Sequence, residues 1–136
     1  MQYIQLTTTT EPPDVAALRP FKSVVIVEDE VTPERRAGIS RWLAESGCLY
    51  MMASGHDSDA WQEAVQTANA AAFNGDAIPD DRLIIATSHG DEPLDEVFWF
   101  SKYTAMHPCR TLETALLVHL SAAGREREMR ETYEAA

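Results

Sequence analysis

Three short apolar runs each stop abruptly at a cluster of acids and histidines. Val24-Val25-Ile26-Val27 runs into Glu28-Asp29-Glu30, and Cys48-Leu49-Tyr50-Met51-Met52-Ala53 into Ser54-Gly55-His56-Asp57. Leu83-Ile84-Ile85-Ala86-Thr87 runs into Ser88-His89-Gly90-Asp91-Glu92. Apolar runs of this length predict strands covered on both faces, over residues 21–28, 48–53 and 82–87. The segments between them change period. Thr32-Pro33-Glu34 is a helix start, with a capping hydroxyl followed by proline at the first helical position. Ile39, Trp42 and Leu43 then share a face, and Gly47 is placed to end the helix. Asp57-Ser58-Asp59 offers caps for a second helix, whose inner face of Trp61, Ala64, Val65, Ala68 and Ala72 is small enough to pack closely on a sheet. Asp91-Glu92-Pro93 repeats the acid-then-proline start, and Leu94, Val97, Phe98 and Ala105 line one side of a third helix, with Trp99 and Phe100 on its flank.

The two ends read differently. Residues 1–20 form an arm in which Tyr3-Ile4-Gln5-Leu6 has the character of an edge strand, before the threonines and prolines of residues 7–13 break regular structure. Leu112, Leu116 and Leu120 keep a four-residue spacing that favours a helix, and a buried fourth strand over residues 114–121 is the other reading. Residues 125–136 read as a charged helix with Glu126/Arg130 and Arg127/Glu131 at i,i+4 spacing. Alternating strands and helices imply right-handed crossovers and a parallel sheet. The expected fold is α/β, a three-layer Rossmann-like or flavodoxin-like sandwich with a small, mainly parallel sheet, as one domain over residues 21–136.

The balance of 22 acids against 11 lysines and arginines, a net charge of -11, changes the functional picture. A field of that sign disfavours nucleic acid and anionic membranes, and it favours basic partners or cations. Two cysteines, Cys48 and Cys109, make neither a disulfide framework nor a CxxC pair, and Cys48 is expected to be a small buried hydrophobe. No signal-peptide pattern or bilayer-length apolar stretch is apparent, so a cytoplasmic location is expected.

Residues 24–30 (VVIVEDE) and 83–92 (LIIATSHGDE) resemble strands of response-regulator receiver domains, a resemblance that implies an acid pair holding Mg²⁺. It stops there. A receiver needs a phospho-accepting aspartate at the end of its middle strand, where Ala53-Ser54-Gly55 stands, and no lysine follows at a fifth strand. Residues 45–52 (ESGCLYMM), 78–81 (IPDD) and 91–102 (DEPLDEVFWFSK) resemble a small bacterial single-domain family with no assigned activity, a domain of unknown function. That resemblance covers about residues 20–135. It implies a bacterial cytoplasmic protein and no mechanism.

If the apolar runs are neighbouring parallel strands, their carboxyl ends gather polar groups where open α/β sheets bind ligands. The candidate binding residues are Glu28, Asp29, Glu30, His56, Asp57, His89, Asp91 and Glu92, with Trp99 as an exposed aromatic anchor. No catalytic residue, metal or cofactor is assigned. GxSxG, HExxH, GxGxxG and Walker motifs are absent. The expected function is a small acidic binding or regulatory protein without catalytic activity, engaging a basic protein partner. The rival is a metal-assisted hydrolase or nucleotide-handling enzyme at the same edge, with His56 and His89 as ligands and Glu28 or Asp29 as general base. A third reading is an oligomeric module burying Trp99 and Phe100. His119 is expected to be a hydrogen-bonded core histidine, and Asp57 and Asp91 to cap helices.

Overall fold

In the computed structural model, which describes residues 1–136, every strand is parallel to its neighbours. Five strands, β1 (Gln2–Leu6), β2 (Phe21–Val27), β3 (Cys48–Gly55), β4 (Ile85–Ser88) and β5 (Thr114–Leu120), form one sheet in the order β1-β5-β2-β3-β4. Helices α1 (Pro33–Ser46), α2 (Ser58–Ala71) and α3 (Leu94–Tyr103) connect strands, and α4 (Glu126–Ala135) follows β5. No helix is long and apolar enough to cross a membrane.

Strand periodicity divides the core. Val25, Val27, Met51, Leu116 and Val118 point to one face and pack with Ile39 and Leu43 of α1 and Trp61 and Val65 of α2. Val24, Ile26, Met52 and Leu117 point to the other and pack with Val97 and Phe98 of α3 and Met129 and Tyr133 of α4. This is the three-layer α/β sandwich, with a sheet that is wholly rather than mainly parallel.

The helix favoured for the stretch ending at Leu120 is overturned. Residues 114–120 form β5, paired with β1 on one side and β2 on the other. The physical reason is arithmetic: a four-residue spacing is also a multiple of two. Leu116 and Leu120 share a face of a strand as readily as a face of a helix, and both lie in the α1/α2 core while Leu117 lies in the opposite one. A strand buried on both faces carries no alternation to betray it.

Local starts and stops agree at α1 and are corrected elsewhere. Thr32 caps α1, its hydroxyl accepting from the Arg35 amide, and Gly47 ends it. Asp57 does precede α2, but its left-handed φ of 56° leaves its carboxylate without a cap hydrogen bond. Pro93 rather than Asp91 precedes α3, again with no side-chain cap. The third strand begins later than expected, at Ile85, because residues 80–82 form a turn of 3₁₀ helix. The alanine face of α2 does not lie on the sheet, which takes Trp61, Val65 and Asn69 instead; its alanines face α1 across a hollow. Cys48 is buried beside Ser23, and burial pushes its thiol up to about 11.

Candidate functional site

All five strands run the same way, so the segments after β2, β3, β4 and β5 emerge at one edge. Backbone bonds lace them together: the His56 amide donates to Val27 O at 3.0 Å, the His89 amide to Ala53 O at 2.8 Å, and the Glu28 and Asp29 amides to Leu120 O at 3.1 and 3.3 Å. β2 and β5 are neighbours whose following helices lie on opposite faces of the sheet, which makes the gap between them the switch point where α/β sheets open a crevice. Here the chain closes that crevice itself. The Ala122 amide donates to Asp29 Oδ2 at 2.7 Å, and Arg125 pairs with Glu28. The hollow left beside it, lined by Thr7, Asp29, Glu30 and Arg35, holds about 80 Å³. A small-molecule pocket is normally ~300–1,000 Å³.

Behind Glu28 stands a polar network around His119, the expected hydrogen-bonded core histidine, whose partners the sequence did not reveal. His119 is fully buried, and its Nδ1 lies 2.7 Å from the Tyr3 hydroxyl. The Arg125 amide donates to that same hydroxyl at 3.0 Å, so Tyr3 joins His119 to the segment that opens α4. Nε2 lies 3.0 Å from Glu28 Oε1, but outside good hydrogen-bond alignment. The signal was the parity of residue 119: as a strand residue it points with Leu117 toward α3 and α4, beside Tyr3 of β1. The helix reading of this stretch concealed it. Four segments distant in sequence are tied here: β1, the end of β2, β5 and the start of α4.

Burial holds the His119 pKa below its ordinary value, against the upward pull of Asp29 and Glu128. A histidine depressed in the folded state stays neutral while the unfolded chain takes up a proton near ~6.5. Its contribution is therefore fully present above that value and is lost as pH falls through the folded pKa. Thermal unfolding of the wild type and of His119→Gln at pH 7 and pH 5 checks this. The wild type should lose more stability between the two; equal losses would contradict the assignment.

His89 is buried, as the exposed His56 is not. Its Nδ1 lies 2.5 Å from Glu92 Oε2, its Nε2 2.6 Å from Thr87 Oγ1, and Phe100 meets the ring edge-on at 4.6 Å. Both ring nitrogens are thus engaged, and a metal would have to break one of these contacts. His56 stands apart in solvent, and no group of three or more His, Cys, Asp or Glu side chains is arranged to hold a metal ion. Ser88 Oγ reaches Ser58 Oγ at 2.9 Å and Asp59 Oδ1 at 2.6 Å, joining the end of β4 to the start of α2.

The remaining candidates face outward. Glu30, Asp57 and Asp91 are exposed, as are Asp95 and Glu96 in the first turn of α3, and none has a basic partner within ion-pair distance. Two bases near this edge are already engaged. Arg125 is paired to Glu28 and Glu128, and Arg35 donates to the carbonyls of Thr7 and Thr10. One turn beyond Glu96, Trp99 is 53% exposed and stacks against the exposed Tyr103 with ring centroids 5.5 Å apart. Asp95, Glu96 and Trp99 together with Thr132 and Ala135 of α4 line an open hollow of about 440 Å³.

A family model described as a domain of unknown function, DUF7684, matches residues 1–136. The chain belongs to the DUF7684 family. The match spans the arm as well as the domain, so this DUF7684 chain includes β1 and the Tyr3 contact within the family's own extent. Neither a curated protein nor a solved structure matches it.

Proposed function

We propose that this DUF7684 protein is a small acidic cytoplasmic binding protein whose carboxyl edge docks a basic protein partner, with Trp99 as the anchor. One observation carries the reading: Glu30, Asp57, Asp91, Asp95 and Glu96 follow the carboxyl ends of β2, β3 and β4, exposed and without an ion-pair partner, and the exposed Trp99 lies one turn beyond Glu96 on α3. Exposed unpaired carboxylates make the potential there more negative and steer a cationic surface toward it. The closed crevice between β2 and β5 favours contact by a surface over capture of a small molecule.

The hollow beside Trp99 gives the docking a focus. A lysine or arginine entering it would lie against an indole face and beside two carboxylates, a cation–π contact worth about 0.5–2 kcal/mol by itself. The other two tryptophans are less open, Trp61 being buried and Trp42 half-buried with its indole N–H on Pro13 O. Titration with a nona-arginine peptide should therefore perturb mainly Trp99 fluorescence, and Trp99→Ala should weaken binding about threefold to tenfold. Unchanged affinity in Trp99→Ala would remove the anchor from the account.

A further inference from the structure

The arginines are distributed unlike the acids. Of the 11 basic side chains, Arg125, Arg127 and Arg130 are ion-paired, while Lys22, Lys102 and Arg35 are bonded to backbone carbonyls. The other five, Arg19, Arg36, Arg41, Arg82 and Arg110, have no side-chain hydrogen-bond or ion-pair partner in a chain with 22 acids to choose from. All five line two adjoining hollows that share Ala44, Glu45 and Ala72. Arg19, Arg82 and Arg110 border a cleft of about 740 Å³ at the amino ends of the strands, and Arg36 and Arg41 border a hollow of about 580 Å³ between α1 and α2.

The backbone beneath the three cleft arginines is pinned. Buried Asn69 donates to Arg82 O at 3.1 Å and accepts from the Ile84 amide at 2.9 Å, fixing the segment that carries Arg82. Buried His107 accepts from the Cys109 amide at its Nδ1, 3.1 Å away, so its Nε2 donates to Leu83 O at 2.8 Å. That histidine thereby fastens the loop of Arg110 to the segment of Arg82. The stem of Arg19 lies over Gly47, where a Cβ would come within 2.4 Å of it, and where φ is +97°. The backbone is fixed while the guanidinium groups are free, which is preorganisation without internal satisfaction.

We infer that this amino-edge cleft binds a small phosphorylated molecule through Arg19, Arg82 and Arg110, with Arg36 and Arg41 extending the site along α1. Guanidinium forks match phosphate oxygens two at a time. The cleft volume suits a mononucleotide-sized ligand, and Phe73 and Ile84 give it apolar wall. Charge limits the ligand's size. The two hollows hold five arginines against Glu45, Glu63 and Asp81, which leaves six of the 11 bases and nineteen of the 22 acids for the rest of the chain. Screening acts over about 8 Å at physiological salt, so a compact anion inside the cleft feels mainly the arginines, whereas an extended polyanion would meet the acidic remainder. The cleft lies at the opposite edge from the proposed docking face and answers to ligands of opposite sign, so either assignment can fail alone.

The test is a thermal-shift titration of the full chain at low ionic strength with AMP, pyrophosphate and sulfate. A saturable rise in Tm with AMP or pyrophosphate is expected, with at least tenfold weaker binding in the double variant Arg82→Ala/Arg110→Ala and no change in the control Arg127→Ala. No saturable shift with either phosphate would overturn the inference. So would an equal shift with sulfate, the mark of a general anion effect, or binding undiminished in the double variant. Should that variant fold poorly, amide chemical shifts of the wild type decide. Displacements on adding AMP should cluster at residues 47–49, 82–84 and 109–110, and displacements elsewhere would refute the site.

Discussion

Leu117→Ala is expected to cost about 2–5 kcal/mol, the range for emptying a buried leucine site. Leu117 has no exposed surface and sits in β5 against the α3/α4 core, while Leu116, equally buried, faces the α1/α2 core. Leu116→Ala should therefore cost a similar amount. Half-buried Leu112, outside the strand, should cost clearly less. Urea unfolding gives all three, and a shift in midpoint at constant slope reads stability alone. The pattern separates strand from helix: a helical stripe through Leu112, Leu116 and Leu120 would make Leu112 and Leu116 comparable and Leu117 milder. That second pattern would contradict a central β5.

Among the glycines, alanine should be most damaging at Gly55. Gly55 ends β3 with φ at +92°, and a Cβ there would come within 2.2 Å of Val27 O, a backbone atom that cannot swing aside. A left-handed alanine costs about 1–3 kcal/mol in strain, and the clash adds to it. The same oxygen accepts from the His56 amide at 3.0 Å, so relief of the clash would pull β2 from β3 where the acidic edge begins. Gly38→Ala is the counterpart. It lies within α1 with nothing within 4 Å of its Cβ position, and alanine should stabilise it by about 0.5–1 kcal/mol. Thermal unfolding of the two variants should move in opposite directions; a stable Gly55→Ala would mean that this junction is looser than described.

The legible parts of the fold were those with one physical signal pointing one way. Thr32-Pro33 and Gly47 bracket α1 because capping and termination chemistry is local, and the runs at Val24 and Cys48 had no competing period. Residues 114–120 failed because full burial removes alternation and leucine spacing suits both periods. The carboxyl edge was legible as a place, since the apolar runs end in Glu28-Asp29-Glu30, His56-Asp57 and His89-Gly90-Asp91-Glu92. Its internal wiring was not. Tyr3, His119 and Arg125 meet only because β1 and β5 are adjacent, and sheet order is a long-range property that spacing does not carry. The arginine cleft was invisible for the same reason, being assembled from residues 19, 82 and 110 by the amino ends of different strands.

Together these features describe a rigid sheet with unlike ends. One end presents unpaired acids beside a crevice that the chain has tied shut, with Trp99 on α3 one turn beyond the last of them, and the other holds free arginines around an open cleft. The central claim is that location, not total charge, makes the carboxyl edge a docking face. It is tested by two variants of equal net charge, titrated with a labelled nona-arginine peptide at low and at physiological salt. One carries Glu30→Gln, Asp57→Asn, Asp91→Asn, Asp95→Asn and Glu96→Gln; the other neutralises Asp76, Asp80, Glu113, Glu131 and Glu134. The account predicts at least tenfold weaker binding for the first and a change under threefold for the second, whereas equal losses in both would show a diffuse attraction to net charge and contradict it.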